Sequence, residues 1–374
     1  MKKIKIVEFF GEPLNYGGQE AFIKNVYSCI DKSKFEFIFI TPFECKNTKL
    51  INLINENGDR LIVGNNPFET KMRKKYILQT AKRQLNNEFD VVHIHSGSIF
   101  TLYNVAKISR VKGIAKIIIH SHASGKKNLK YRIIKAISDR NIEKYADYFF
   151  ACSDLAGEWK YPKEVLHSKK YFIIKNGIDL KKYRYDEKSR LEYRKKFGFK
   201  NEHILIHVGR FSKEKNQLFI IDLFDKVVKK DSTARLLLVG GDGELLDAVK
   251  MKIEKMNLQN HVMIMLNRND VPELLNMSDV FILPSLWEGL PFTGIEAQAN
   301  GIPCIFSDTI TDEINITKSY NKLSIKDQPD VWADKILELF NETRINNEEE
   351  ISKSGYSIVN VCSFLEKIYG GKND

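Results

Sequence analysis

Residues 279–301 read "DVFILPSLWEGLPFTGIEAQANG". The first five residues are an apolar run of strand length, the next few form a polar loop, and beyond Pro291 the spacing turns helical. A strand that passes through a short loop straight into a helix is the repeating element of parallel α/β architecture. Two carboxylates, Glu288 and Glu296, flank the predicted helix start. Thr293-x-x-Glu296 fits a capping box, with Thr293 as N-cap and Glu296 reaching back to it. Glu288, in the loop beside Trp287, has no such structural explanation. Pro291 lacks an N–H, but those of Leu290, Phe292 and Thr293 can turn towards an anion at the helix N-terminus.

The same pattern recurs along the chain. "KIKIVEFF", "FEFIFITP", "DVVHIHSGS", "AKIIIHSHAS", "DYFFACS" and "KYFIIKNGID" are strands of the first half, and "HILIHVGR", "ARLLLVGGDGE", "HVMIMLN", "DVFILPS" and "IPCIFS" of the second. Nearly continuous apolar runs imply strands covered on both faces, as in parallel sheets flanked by helices. The length of 374 residues allows two such doubly wound domains. A polar, charged seam at 179–200 separates residues 1–178 from 179–350. Near the end, Ile358, Val361, Cys362, Leu365, Ile368 and Tyr369 form one helical stripe, and residues 351–374 follow a polar stretch that lets them dock away from their sequence neighbours.

Composition narrows the class. A hydrophobic share of 43% describes an ordinary globular protein, and no apolar run approaches the ~18 residues of a membrane-spanning helix. The start, "MKKIKIVEFFGEP", meets Glu8 too early for a secretory signal and reads as a first strand, so the expected location is the cytoplasm. Five scattered cysteines with no C-x-x-C pair exclude a recognisable zinc framework and suit free thiols. Residues 1–170 carry a net charge of +13 and the remainder −2. A one-sided basic balance suits an anionic partner, or equally a set of solvated lysine-rich helix faces.

Ligands of open α/β sheets bind beyond the carboxyl ends of the strands. After the first strand, Gly17-Gly18 precedes a helix and leaves backbone N–H groups free for an anion, although a plain loop explains the pair as well. "IIIHSHASG" places His120 and His122 two apart on one strand face. No third ligand in a recognisable motif accompanies them, so contact with a substrate hydroxyl is the better expectation than metal. "VGRFSKEKN" sets Gly209, Arg210 and Lys215 at a strand end, where two cations suit a diphosphate or simply form a basic loop. Gly240, Gly241 and Gly243 permit close backbone approach or a tight turn.

"EGLPFTGIEA" at 288–297, with "ANGIP" behind it, resembles the E-x7-E signature of family 4 of the retaining glycosyltransferases. "GGQE", "VGR-x4-K", "GDGE", "NGID" and "DVPELLNMSDVFILPS" occur in that family's order over nearly the whole chain. "HSHASG" and "ACSDLAGEW" look most like members that build bacterial capsular and extracellular polysaccharides. The resemblance implies the GT-B fold, two Rossmann-like domains facing across a cleft, with the final helix crossing back to the first. It implies roles as well. Arg210 and Lys215 would hold the donor diphosphate beside Gly209, and Glu296 the ribose hydroxyls. Glu288, Gly289 and the segment Leu290, Pro291, Phe292 and Thr293 would meet the transferred sugar and distal phosphate. Gly17 and Gly18 would face phosphate and acceptor, His122, with His120 as alternative, would touch the sugar, and the base would lie near Asn267 and Arg268. Two places depart from the family pattern: Leu266 stands where a Gly is usual, and "SDTITDE" replaces a Gly-Gly turn.

The implied reaction moves a hexose or N-acetylhexosamine from a nucleotide diphosphate sugar, UDP by family frequency, to a hydroxyl of a saccharide acceptor with retention. Glu288, His122, Arg210 and Lys215 are the expected catalytic group, with no metal and no cofactor, since no D-x-D motif is present. A lipid-linked acceptor would bring the basic first half to the anionic inner membrane face, where "KMRKKYILQTAKR" and "KKNLKYRIIK" mix cations with apolar residues. A non-hydrolysing UDP-sugar 2-epimerase and a non-catalytic nucleotide-sugar binding protein are the rival readings. Nucleic-acid binding is not expected, because no recognisable motif accompanies the basic residues.

Overall fold

The computed structural model describes residues 2–15, 17–122 and 141–371. The chain divides into two compact units, Met1–Ile178 with Gly355–Asp374, and Asp179–Ser354. Each is an α/β unit built on a parallel sheet.

The first unit holds β1 (Ile4–Phe10), β2 (Phe35–Thr41), β3 (Arg60–Val63), β4 (Val91–Ser96), β5 (Lys116–Ser121), β6 (Tyr148–Ala151) and β7 (Tyr171–Ile173). Their order is β3-β2-β1-β4-β5-β6-β7, every neighbouring pair parallel. Alternate residues of β1 feed opposite faces: Val7 and Phe9 join one apolar cluster, Ile6 and Phe10 the other. This two-sided burial is why the strand reads as an unbroken apolar run. The helix Ile358–Gly370 lays Ile358, Val361, Cys362, Leu365 and Tyr369 into the second cluster, so the terminal stripe docks on the first sheet. It starts three residues after Gly355, whose φ of +85° forms the bend before it.

The second unit holds β8 (Ile204–Val208), β9 (Arg235–Gly240), β10 (Val262–Leu266), β11 (Val280–Leu283), β12 (Cys304–Ser307) and β13 (Tyr320–Leu323). The order β10-β9-β8-β11-β12-β13 is again parallel throughout, with the reversal of direction at β8 and β11. Such a reversal is where doubly wound sheets open a crevice at their carboxyl ends.

Two strands were not expected from the sequence, β3 and β13. Both are edge strands, and neither has a fully buried residue, so "RLIV" and "YNKL" lack the apolar continuity of their neighbours. The glycines after β9 are explained by close approach. A Cβ on Gly240 would lie 1.9 Å from the Gly209 carbonyl oxygen, and one on Gly243 2.1 Å from that of Phe211. The loop after β8 therefore rests directly on the loop after β9. All five cysteines are free thiols. Among the described residues no helix is long and apolar enough to cross a membrane. Of the two basic segments, 71–83 mostly lies in the helix Arg73–Gln84, and 126–135 lies outside the described residues.

Candidate functional site

In the second unit the site is built from the loops that follow β8 and β11. Lys215 ends a short 3-10 turn, and Asn216 adopts a left-handed φ of 58° before the helix Gln217–Lys230 begins. Asparagine tolerates that conformation. Its side-chain amide donates to the Pro284 carbonyl at 3.2 Å, and the Leu286 N–H donates to the Glu214 carbonyl at 2.8 Å, so the two loops are tied together. This brings the Lys215 ammonium onto the Glu288 carboxylate, which also accepts from the Ser285 hydroxyl at 2.8 Å. Both charged side chains are largely buried, at 16% and 13% exposure. Arg210 is different: its side chain is 65% exposed and meets Glu214 at 3.2 Å. A cation held so loosely in water contributes little to stability. It is available to an anionic ligand.

Residues that the sequence did not single out hold this loop in place. Gln217 donates to the Arg210 carbonyl at 2.7 Å and lies 3.3 Å from the buried His207 ring. His207 sits 3.0 Å from the Ile282 carbonyl, and burial lowers its pKa to about 3, so it serves as a neutral strut. Gly209 leaves room for the Lys215 stem, since a Cβ there would come within 3.1 Å of Lys215 Cδ. In the departing "SDTITDE" segment, Ser307 and Thr309 donate to the Ser285 carbonyl at 2.5 and 2.6 Å. Hydroxyls thus brace the loop that carries Glu288, where the family's usual turn has glycines.

The capping box is overturned. The helix Phe292–Asn300 starts before Thr293, with Pro291 as N-cap and no side-chain cap bond. With Pro291 as N-cap, Thr293 lies inside the first turn, where its buried hydroxyl has no partner among the described residues. Glu296 accepts instead from the Tyr183 hydroxyl at 2.7 Å. Gly294 is required by packing, because a Cβ there would meet Ile314 and Phe306 at 2.6 Å. Gly289 is open, with nothing within 4 Å of such an atom. Leu290 packs on the sheet's apolar cluster, which leaves its N–H and those of Phe292 and Thr293 at the helix start. Asn267 turns the chain after β10 with a φ of 53°, and Arg268 forks onto Asp270, Nε to Oδ1 at 2.8 Å. Leu266, at the departing position, is 38% exposed. A separate cavity of about 670 Å³, lined by Arg190, Arg194, His203 and Asp279, opens at the amino ends of β8 and β11, away from these loops.

In the first unit Gly17 is the N-cap of the helix Gly18–Cys29, in extended backbone that any residue adopts. Glu20 of the first turn accepts from the Asn15 N–H at 3.3 Å. Gly18 accepts through its carbonyl from Asn176 at 2.9 Å. His120 is wholly buried at the end of β5, and among the described residues neither ring nitrogen has a partner. His122, one residue past the strand, is half-buried, and its ring centroid lies 4.0 Å from that of His120.

No sequence motif supplies a third histidine, and the structure supplies two. His93 and His95 of β4, with His120, bring one ring nitrogen each within 4.8 Å of one another. Metal-bound imidazoles sit at about 2.0–2.1 Å from zinc, which sets their nitrogens roughly 3.4 Å apart in a tetrahedron. An ion drawing on all three would also have to take a nitrogen from His95, and both of His95's are engaged: Nδ1 lies 2.8 Å from His122 Nε2 and Nε2 lies 2.6 Å from Glu8 Oε2. The cluster is wired by hydrogen bonds. Glu8, wholly buried on β1, also accepts from Tyr369 at 3.3 Å, and burial pushes its pKa up to about 8. Burial likewise holds His93, His95 and His120 well below the usual range, and His122 at about 3. The signal was a charge inside an apolar run, Glu8 in "KIKIVEFF", and a paired "HIH" in "DVVHIHSGS".

Two Rossmann-like units, one with paired acid and base at the crevice end of its sheet, define a sugar-transferring enzyme of the GT-B type once set beside known proteins. The group 1 glycosyl transferase model matches residues 189–357, and the Glycosyltransferase Family 4 model residues 16–182. The chain belongs to glycosyltransferase family 4. It is 29% identical to the protein EpsF of Bacillus subtilis (strain 168) over 371 residues, 95% of this chain and 94% of the relative. It is 29% identical over 250 residues to the UDP-Gal:alpha-D-GlcNAc-diphosphoundecaprenol alpha-1,3-galactosyltransferase of Escherichia coli, 63% of this chain and 62% of that one. Among solved structures, Anabaena Alr3699/HepE in complex with UDP shares the fold at a TM-score of 0.73 and 16% identity, over 98% of this chain and 100% of that one. Sucrose-phosphate synthase of Thermosynechococcus elongatus does so at 0.69 and 14%, over 98% of each.

Proposed function

We propose that the enzyme moves a hexose or N-acetylhexosamine, with retention, from a UDP-sugar to a hydroxyl of a lipid-linked saccharide during surface polysaccharide synthesis. The observation that carries this is the Lys215–Glu288–Ser285 cluster at the N-terminus of the helix Phe292–Asn300. As the bond to the donor breaks, negative charge gathers on the diphosphate. Lys215 and the N–H groups at residues 290, 292 and 293 are fixed donors for that charge, and the exposed Arg210 closes onto it. Lys215 can serve it without leaving Glu288, since an ammonium has three donors. Glu288 accepts from sugar hydroxyls, Glu296 from the ribose diol and His122 contacts the sugar ring. We take the attack to be front-face, the departing phosphate helping to remove the acceptor's proton. Protein cations stand in for a metal here.

The UDP complex of Anabaena Alr3699/HepE and the UDP-Gal donor in the E. coli relative's name support the choice of nucleotide. The diphosphoundecaprenol in that name supports a lipid-linked acceptor. For the membrane face, the helix Arg73–Gln84 carries Arg73, Lys74, Lys75, Lys82 and Arg83. Close by, Lys82, Lys107 and Lys112 surround Leu78, Ile108 and Val111 in one groove. Sedimentation with anionic vesicles should exceed that with neutral ones, and equal sedimentation rejects the membrane contact.

The direct test is saturation-transfer NMR against UDP-, GDP- and ADP-sugars in chelator, with wild type and Glu296→Ala. Selective UDP-sugar binding, lost in the variant, is the expected result. Binding that needs an added divalent ion would reject the metal-free site. Unchanged binding in a folded variant would remove Glu296 from the ribose.

A further inference from the structure

Five side chains, from β1, β4, the end of β5 and the terminal helix, form one hydrogen-bonded chain in the first unit, and it ends at a residue the proposed reaction uses. His122 Nε2 lies 2.8 Å from His95 Nδ1, and His95 Nε2 lies 2.6 Å from Glu8 Oε2. Glu8 Oε1 accepts from the Tyr369 hydroxyl at 3.3 Å, and His93 Nδ1 lies 2.7 Å from that same hydroxyl. Each bond holds one proton, and a neutral imidazole carries one N–H and one acceptor nitrogen. These two constraints leave the chain two arrangements. With Glu8 ionised, His95 donates from Nε2 to the carboxylate and His122 donates from Nε2 to His95, so His122 Nδ1 is an acceptor. With Glu8 protonated, the two links from Glu8 to His122 reverse: Glu8 donates to His95 Nε2, His95 Nδ1 donates to His122 Nε2, and His122 Nδ1 carries the N–H. Tyr369 and His93 keep their bonds in both arrangements.

We propose that Glu8 and His95 are positioning residues for His122, and that the chain makes protonation of the buried carboxyl and the tautomer of His122 a single event. The side chain at the ligand end of the sheet then donates from Nδ1 when Glu8 holds a proton and accepts there when it does not. This rests on the reading of His122 as a contact of the transferred sugar. Among the described residues nothing bonds His122 Nδ1, the nitrogen left outside the chain.

The surroundings favour the protonated arrangement near neutral pH. Glu8 is 3% exposed and meets no cation among the described residues. From β2 only Phe37 and Phe39 line the space around it, and from the helix Gly18–Cys29 come Phe22, Ile23, Val26 and Tyr27, the last donating to Asp59 at 2.5 Å. From β4 come His93 and His95, from β5 and its end His120 and His122, and from the terminal helix Tyr369. Burial keeps all four histidines neutral, so within the hydrogen-bonded chain the proton that exchanges with solvent in this range is that of Glu8, with a midpoint of about 8; Glu12, outside the chain and bonded to Ser96, is raised to about 7. The cluster therefore offers the sugar a hydrogen-bond donor of no net charge.

The tautomer is directly visible. Long-range ¹H–¹⁵N correlation of ¹⁵N-histidine protein assigns each ring nitrogen as protonated or bare, and needs no nucleotide sugar. Between about pH 6 and 10, His122 should exchange Nδ1–H for Nε2–H with a midpoint of about 8, without passing through imidazolium. Glu8→Gln cannot titrate and should show one tautomer throughout. His95→Phe, which keeps a ring stacked on Phe10 at 5.3 Å, should lose the exchange as well and serves if the glutamine variant does not fold. A wild-type tautomer that stays fixed over this range, or an exchange that persists in either variant, overturns the proposal. With the donor identified, Glu8→Gln should also flatten the alkaline limb of KM while leaving kcat within a few-fold. Because the NMR readout is independent of turnover, an enzyme that transfers no sugar but shows the exchange would sink the proposed function alone. Sugar transfer without the exchange would sink the relay alone.

Discussion

Glu8 and Glu288 both belong to parallel sheets of the same design, yet their surroundings differ in kind. Glu288 meets the Lys215 ammonium and the Ser285 hydroxyl, and its side chain keeps 13% of its surface in solvent. Glu8 is wholly enclosed and, among the described residues, meets neutral groups alone, two histidines and a tyrosine. A carboxylate buried without a cation beside it holds its proton to higher pH. The second unit thus keeps fixed charge where a diphosphate would bind. The first keeps a neutral hydrogen-bonded chain where a sugar would be touched.

The largest effect expected from this contrast is at the fixed charge. Lys215→Ala removes one donor to the developing diphosphate, and losing a comparable donor costs about 10²–10³ in kcat. It also leaves Glu288 held by Ser285 alone, so the rate loss should come with a lower melting temperature. Lys215→Ala with Glu288→Gln should recover melting temperature but not rate, because the unpaired buried carboxylate is gone while the diphosphate donor and the sugar-binding carboxylate are both missing. Recovery of both would make Lys215 a structural ion-pair partner only. Initial rates beside thermal melts separate these outcomes.

The fold was legible because both sheets are parallel and covered on both faces, which writes each inner strand as an apolar run. β3 and β13 escaped because an edge strand needs burial on fewer sides. The second-unit residues were legible as a linear motif, with Arg210, Lys215, Glu288 and Glu296 in short loops after strands. Their partners were not. Tyr183 lies 113 positions from Glu296, and Thr309 24 from Ser285, distances at which no local spacing rule operates. Glu8, His95 and Tyr369 meet only because β1 and β4 are neighbours in the sheet and the terminal helix returns to it, so their pairing is a product of topology. The capping box failed for a local reason: Pro291 starts the helix early, and Tyr183 then offers Glu296 a tertiary partner.

A middle-sized effect tests the buried side of the contrast through stability alone. Burial raises Glu8 from its ordinary 4.5 to about 8, so the folded chain binds that proton more tightly than the unfolded chain. Its contribution is whole below about pH 4.5 and is lost as pH rises through 8. Glu12, raised to about 7 by burial, acts in the same direction. His93, His95 and His120 act oppositely, since they are held neutral and lose stability as pH falls below 6.5. Glu8→Gln should therefore reduce the alkaline decline in urea-unfolding free energy by up to about 1.4 kcal/mol per pH unit. The Glu12 share and the acid limb should remain. An unaltered alkaline decline would mean that Glu8 does not hold its proton when folded.

The smallest effect divides Glu296 between its two possible duties. Tyr183 is largely buried against it, and burial together with the carboxylate raises the phenol's pKa, so the hydroxyl stays a donor at every physiological pH. Tyr183→Phe keeps Glu296 and removes only the bond that aims it. A neutral donor to a carboxylate contributes about 1.5–3 kcal/mol when both ends are satisfied, and less where water can replace it. UDP-sugar binding should then weaken by less than about tenfold, against complete loss in Glu296→Ala. If isothermal titration finds the two variants equally weak, the carboxylate acts through the position of the helix Phe292–Asn300, and the ribose contact falls. If the phenylalanine variant binds as wild type does, the helix holds Glu296 unaided and the contact stands on the carboxylate itself.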